Sequence, residues 1–166
     1  MKLKIILSLV LILLYLISSK TVLASSNNLN KTTVGLSLKY PKSWVIQSQN
    51  ENNVIFVFQD KLKKANTLSI NRTSPDLIKT INDNKVSFKE FMKRIKAKTS
   101  KFVSINGYES SGQVCAEQGP CRLDTSFYSQ NWWKKFDVLL VSDFDPQNSK
   151  DALKQTRQML GTMKVK

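Results

Sequence analysis

Two cysteines, Cys115 and Cys121, stand six positions apart in Cys-Ala-Glu-Gln-Gly-Pro-Cys, and the chain contains no histidine. A structural zinc site takes four nitrogen or sulfur ligands, so that reading fails. A hydrolase triad or a Cys–His pair needs an imidazole or an equivalent base, which histidine does not supply here. Serine–lysine and paired-carboxylate chemistry stay open in principle, but no spacing singles either out. Asp143-Phe144-Asp145-Pro146-Gln147 begins like a calcium loop. It has Asn148 where that loop needs glycine and Lys154 where it needs glutamate, so it reads as the entry to a helix. The expectation is a non-catalytic protein with no cofactor and no resident metal.

The chemistry the residues do favour is charge. Among 166 residues, 26 are basic and 12 acidic, a net charge of +14. Lys2 and Lys4 precede an uncharged apolar run from Ile5 to Ile17, and Val22-Leu23-Ala24 follows. That order predicts a secretory signal peptide over 1–24, cleaved after Ala24. The run is shorter than the ~20 apolar residues that span a bilayer. Removing 1–24 leaves 23 basic and 12 acidic residues, a charge of +11. Such an excess favours an anionic protein or an anionic membrane surface. With 22 lysines and only 4 arginines, specific nucleic-acid recognition is not expected. In an exported domain the close cysteine pair reads as a Cys115–Cys121 disulfide, with Gly119-Pro120 turning the loop. Asn30-Lys31-Thr32 and Asn71-Arg72-Thr73 match the glycosylation acceptor pattern.

These residues need elements to hold them. Residues 25–32 read as a polar, disordered lead-in, and 33–166 as one domain. Val34, Leu36, Leu38 and Tyr40 alternate as in a half-buried strand, which Pro41 stops. A short strand follows over 43–47. The continuous apolar run Val54–Phe58 suits a strand covered on both faces. Leu68 and Ile70 mark another strand. A short helix is predicted over 75–84. Ser87 and Glu90 have capping-box spacing, and Phe88, Phe91, Met92 and Ile95 share one helical face. A hairpin turn is predicted at Asn106-Gly107, then strands to Val114, over 123–128 and over 136–142. Ser149 is the expected cap of a last helix with Leu153, Thr156 and Leu160 inward, ended by Gly161. Strands, helix, strands and helix in that order predict an α+β fold with a single antiparallel sheet flanked by helices.

Tyr40-Pro41-x-x-Trp44 at the end of a strand, then an apolar strand ending in Phe58, resembles the opening of PsbP-like domains. The Ile105-Asn106-Gly107 hairpin, the paired aromatic strands and the closing amphipathic helix fit the same plan, over nearly all of 33–165. The resemblance implies an α-β-α sandwich. It also implies kinship with a photosystem II extrinsic subunit that docks on the lumenal side and helps retain calcium and chloride. With no histidine, a family metal role through that residue does not carry over. Read from the residues themselves, Tyr40, Pro41 and Trp44 are structural, with Trp44 an apolar plug.

The docking residues expected from the sequence are Lys89, Lys93, Lys96 and Lys98 on the helix and Trp132, Trp133, Lys134 and Lys135 at a hairpin tip. Lysines supply the field, and an exposed tryptophan supplies apolar contact. The domain is expected to be monomeric and exported, to the periplasm, the exterior or a thylakoid lumen. The alternative is an envelope-associated small-ligand carrier or enzyme whose pocket the sequence does not display.

Overall fold

The computed structural model describes residues 26–29, 34–59, 65–102, 105–115, 117, 121–143 and 146–165. The expected signal peptide over 1–24, the Asn30-Lys31-Thr32 motif, Gly119-Pro120 and Phe144-Asp145 lie outside them.

Ten strands and three helices are present among the described residues. They are β1 (Ser26–Leu29), β2 (Leu36–Pro41), β3 (Trp44–Gln49), β4 (Asn53–Gln59), β5 (Ala65–Arg72), α1 (Pro75–Asp83), α2 (Phe88–Arg94), β6 (Lys98–Phe102), β7 (Ile105–Cys115), β8 (Cys121–Tyr128), β9 (Phe136–Asp143), α3 (Pro146–Leu160) and β10 (Lys164–Val165). The expected single sheet is two. Seven strands run in the order β3-β4-β5-β9-β8-β7-β6, and β1-β2-β10 form a separate three-stranded sheet. All pairings are antiparallel. Of the polar lead-in expected over 25–32, residues 26–29 are described, and they form a strand. Ser26–Leu29 pairs with β2 from Ser26 against Pro41 to Leu29 against Leu38, and Leu29 is buried.

Period-two alternation fixes which side of the large sheet is apolar. Trp44, Phe56, Leu68, Leu140 and Phe127 face one layer and are buried. The α3 helix crosses β2, β5, β6 and β9 on that side. Ala152, Thr156, Met159 and Leu160 of α3 are fully buried there. The β4 run, expected to be covered on both faces, alternates instead. Val54, Phe56 and Phe58 are buried while Ile55 and Val57 are half-buried. Helix α3 begins at Pro146, three residues before the expected cap Ser149.

Trp44 is the plug its motif implies. It is 1% exposed, stacks on Phe58 at 5.4 Å, and donates through Nε1 to Gln155 Oε1 at 2.9 Å. Pro41 is the last residue of β2, and Tyr40 packs edge-on against Phe56 at 5.2 Å.

Asn106-Gly107 is not the turn. Both lie within β7, opposite Lys101 and Ser100, and the hairpin closes between Phe102 and Ile105. Gly107 has another purpose. A Cβ there would sit 2.0 Å from Phe102 Cε2, so the glycine leaves room for the Phe102 ring. That ring is fully buried, stacked on Trp132 at 6.0 Å and edge-on to Phe127 at 5.9 Å.

Cys115 and Cys121 are directly opposed in the β7–β8 ladder, with Cα atoms 4.0 Å apart, and form the expected disulfide.

Candidate docking surface

The basic side chains cluster by sequence before they cluster by fold. Between Lys85 and Lys101 there are seven basic residues and one acidic one, Glu90. Ser87 caps α2, its hydroxyl accepting from the Glu90 amide at 3.2 Å. Glu90 does not complete the capping box. Its carboxylate accepts from Arg94 Nη2 at 2.6 Å, one turn on. Glu90 therefore offsets Arg94 and leaves Lys85, Lys89, Lys93, Lys96, Lys98 and Lys101 without an acidic neighbour in the segment. All six are exposed. Lys89 and Lys93, one turn apart, share a helix face.

The expected helix lysines divide between elements. Helix α2 ends at Arg94, with Ile95 as its C-cap. Lys96 follows in the left-handed region at φ 52°, ending the helix as an αL residue does. Lys98 opens β6, an edge strand whose Lys98 and Lys101 discourage pairing with another chain.

Aromatic packing holds α2 in place. Phe127 and Gly107 face α3, so Tyr128 and Tyr108, one residue on, face the opposite side of the sheet. There Phe88 meets Tyr108 at 5.4 Å, and Phe91 meets Tyr128 at 5.9 Å. Burial pushes the Tyr128 phenol above its ordinary value. The seven-stranded sheet is thus covered by α3 on one face and by α2 at one corner of the other.

The Trp132–Lys135 segment is not an exposed tip. Trp132 and Trp133 amides both bond to Ser129 O, and Lys135 and Phe136 amides both bond to Trp132 O, which makes one helix-like turn. Consecutive side chains on that turn diverge. Trp132 enters the core, 1% exposed. Trp133 lodges between Phe88 at 5.3 Å and Phe91 at 6.0 Å. Lys134, at φ 68°, donates through Nζ to Asn82 Oδ1 at 2.6 Å. Of the four expected tip residues, Lys135 is the exposed one. The tip thus does not offer the exposed apolar anchor expected of it.

One ionic site was absent from the sequence reading. Glu109 of β7 receives both Arg157 Nε and Nη2 at 2.7 Å and the Ser100 hydroxyl. Burial alone would raise the Glu109 carboxyl. The Arg157 and Ser100 hydrogen bonds and the Arg157 charge bring it below its ordinary value. The bond to Glu109 in turn raises Arg157. This site ties α3 to the β6–β7 edge and is structural.

No family model matches the chain, and no curated protein sequence matches it. Among solved structures, the chain is similar to a crystal structure from Bacteroides thetaiotaomicron VPI-5482, with a TM-score of 0.56 and 13% identity. That alignment covers 86% of this chain and 49% of the other, so this chain spans about half of that protein's length. It is also similar to the solution structure of cyanobacterial PsbP (CyanoP) from Synechocystis sp. PCC 6803, at TM-score 0.42 and 14% identity, over 89% of this chain and 96% of that one. The first likeness shows a shared fold, a large antiparallel sheet with helices packed on it.

Proposed function

We propose that this chain is an exported, non-catalytic docking domain that binds an anionic protein or membrane surface through the lysines around α2. The observation that carries the reading is the run of exposed bases from Lys85 to Lys101 with Glu90 already engaged by Arg94. Like charges gathered on a rigid element speed encounter with an acidic surface. Docking is electrostatic, because Trp132 is inside the core and Trp133 is packed on α2. Export is supported by the tripartite N-terminal sequence and by the disulfide, which persists in oxidising compartments. Kinship with PsbP-type extrinsic subunits is the named form of this proposal and rests on the Tyr40-Pro41-x-x-Trp44 pattern.

Two probes test it. The mature protein is mixed with phosphatidylserine-containing vesicles and with immobilised polyglutamate, against phosphatidylcholine vesicles as control. Retention by either anionic probe at low salt, lost at high salt, supports the proposal. Retention by neither overturns it. N-terminal sequencing of exported protein should begin at Ser25, and a mature chain still carrying Met1 would contradict the export reading.

A further inference from the structure

The seven-stranded sheet ends in two edges of different kinds. The β3 edge carries no charged residue and is interrupted by a register shift between Ile46 and Ser48. A bulge of this sort turns an edge away from further pairing. The β6 edge has no such interruption. Its register runs evenly from Lys98 opposite Glu109 to Phe102 opposite Ile105, and among the described residues β7 alone pairs with it.

An edge strand bonds to its neighbour through only half of its backbone groups. Phe102 and Ile105 are opposed across two residues, which makes them a hydrogen-bonded pair, and such pairs alternate along an antiparallel ladder. Ser100 and Lys98 therefore bond to β7, while Thr99 and Lys101 turn their N–H and C=O groups outward. Both are exposed. The surface beside them is hollow. The lining of a space of about 460 Å³ includes Thr99, Lys101, Asn106 and Tyr108. The lining of another, of about 370 Å³, includes Ile95, Lys96, Lys98 and Glu109. Glu109 is the one acidic residue in either lining, and Arg157 already holds it. An incoming chain therefore meets the charges of Lys96, Lys98 and Lys101, all exposed.

Lysines along an edge repel a second copy of this basic chain and attract a strand of opposite charge. We infer that β6 receives an extended acidic segment of a partner protein, which adds an eighth strand to the sheet. The inference rests on the docking proposal and narrows its partner to a protein. Main-chain hydrogen bonds at Thr99 and Lys101 set the register, and carboxylates against the three lysines select the partner.

The probe is an eight-residue peptide of alternating glutamate and valine with blocked ends, titrated into ¹⁵N-labelled mature protein. Its control is the same peptide with the four central amides N-methylated, which keeps every charge and blocks both peptide edges. Saturable binding is expected, with hydrogen exchange at the Thr99 and Lys101 amides slowed at least tenfold. The methylated peptide should bind roughly tenfold more weakly or worse. Lys101→Glu should weaken the unmethylated peptide about tenfold. Thr99→Pro should do the same through the backbone, with an unfolding midpoint close to wild type, because the N–H it removes lies outside the ladder. The methylated peptide keeps the test valid if that variant does not fold. Equal affinity for the two peptides, or binding that leaves the Thr99 and Lys101 amides unprotected, would overturn the inference and leave the docking proposal standing. Retention by phosphatidylserine vesicles or polyglutamate with no binding of the peptide would do the same. Failure of peptide, vesicles and polyglutamate alike would overturn both.

Discussion

The Lys134 ammonium lies 5.0 Å from the centre of the Trp133 ring. With Phe88 and Phe91 on its other sides, this indole serves the α2 packing. Trp133→Ala should therefore act on stability, by about 2 kcal/mol for a half-buried ring, and Trp132→Ala should cost about 3–5 kcal/mol. Urea unfolding midpoints measure both. An unchanged midpoint in Trp133→Ala would mean that the ring does not hold α2.

Gly107 and Phe102 should be energetically coupled. Gly107→Ala places a methyl group where the ring now lies, at an expected cost of about 1–3 kcal/mol. In a Phe102→Leu background the same change should cost clearly less. A double-mutant cycle reports the difference, and equal costs in both backgrounds would refute the close approach.

The Glu109–Arg157 pair predicts a pH dependence of definite sign. The Glu109 carboxyl titrates lower in the folded chain than its ordinary value of 4.5. Its contribution is then complete above about pH 4.5 and is lost as pH falls through the folded value. The stability gap between wild type and Glu109→Gln should be largest near neutrality and shrink towards pH 3. A gap that is constant with pH, or that widens in acid, would contradict the assignment.

Much of the fold was legible because single residue types forced it. Ser87 before Phe88-x-x-Phe91-Met92 marks α2, the helix expected over 75–84 is α1 from Pro75, and the β2 alternation reads directly onto buried Leu36 and Leu38. The Cys115–Cys121 pairing was legible from the short spacing together with the expectation of export. The Asn106-Gly107 turn misled because glycine serves steric needs as well as positive φ, and here an aromatic ring claimed the space. Division into two sheets was hidden because β1 and β10 are short and polar, and pairing with β2 alone makes them strands. The Trp132-Trp133 pair could not be assigned from sequence, since adjacent residues on one helical turn go to different layers. The Glu109–Arg157 pair joins residues 48 positions apart, beyond any local pattern.

The most direct test of the docking account is the association rate onto immobilised polyglutamate, measured by surface plasmon resonance between 0.1 M and 1 M salt. Charge reversal is placed at Lys89 and Lys93, leaving Lys96 because its left-handed backbone ends α2 and Lys98 because it stands opposite Glu109 in the β6–β7 ladder. Shortening the Debye length from ~10 Å to ~3 Å should slow wild-type association steeply. Lys89→Glu with Lys93→Glu should slow it about tenfold at 0.1 M and flatten its salt dependence, with little change in the unfolding midpoint. Rates that ignore both salt and the two reversals would contradict the account and leave the lysines around α2 as solvated surface.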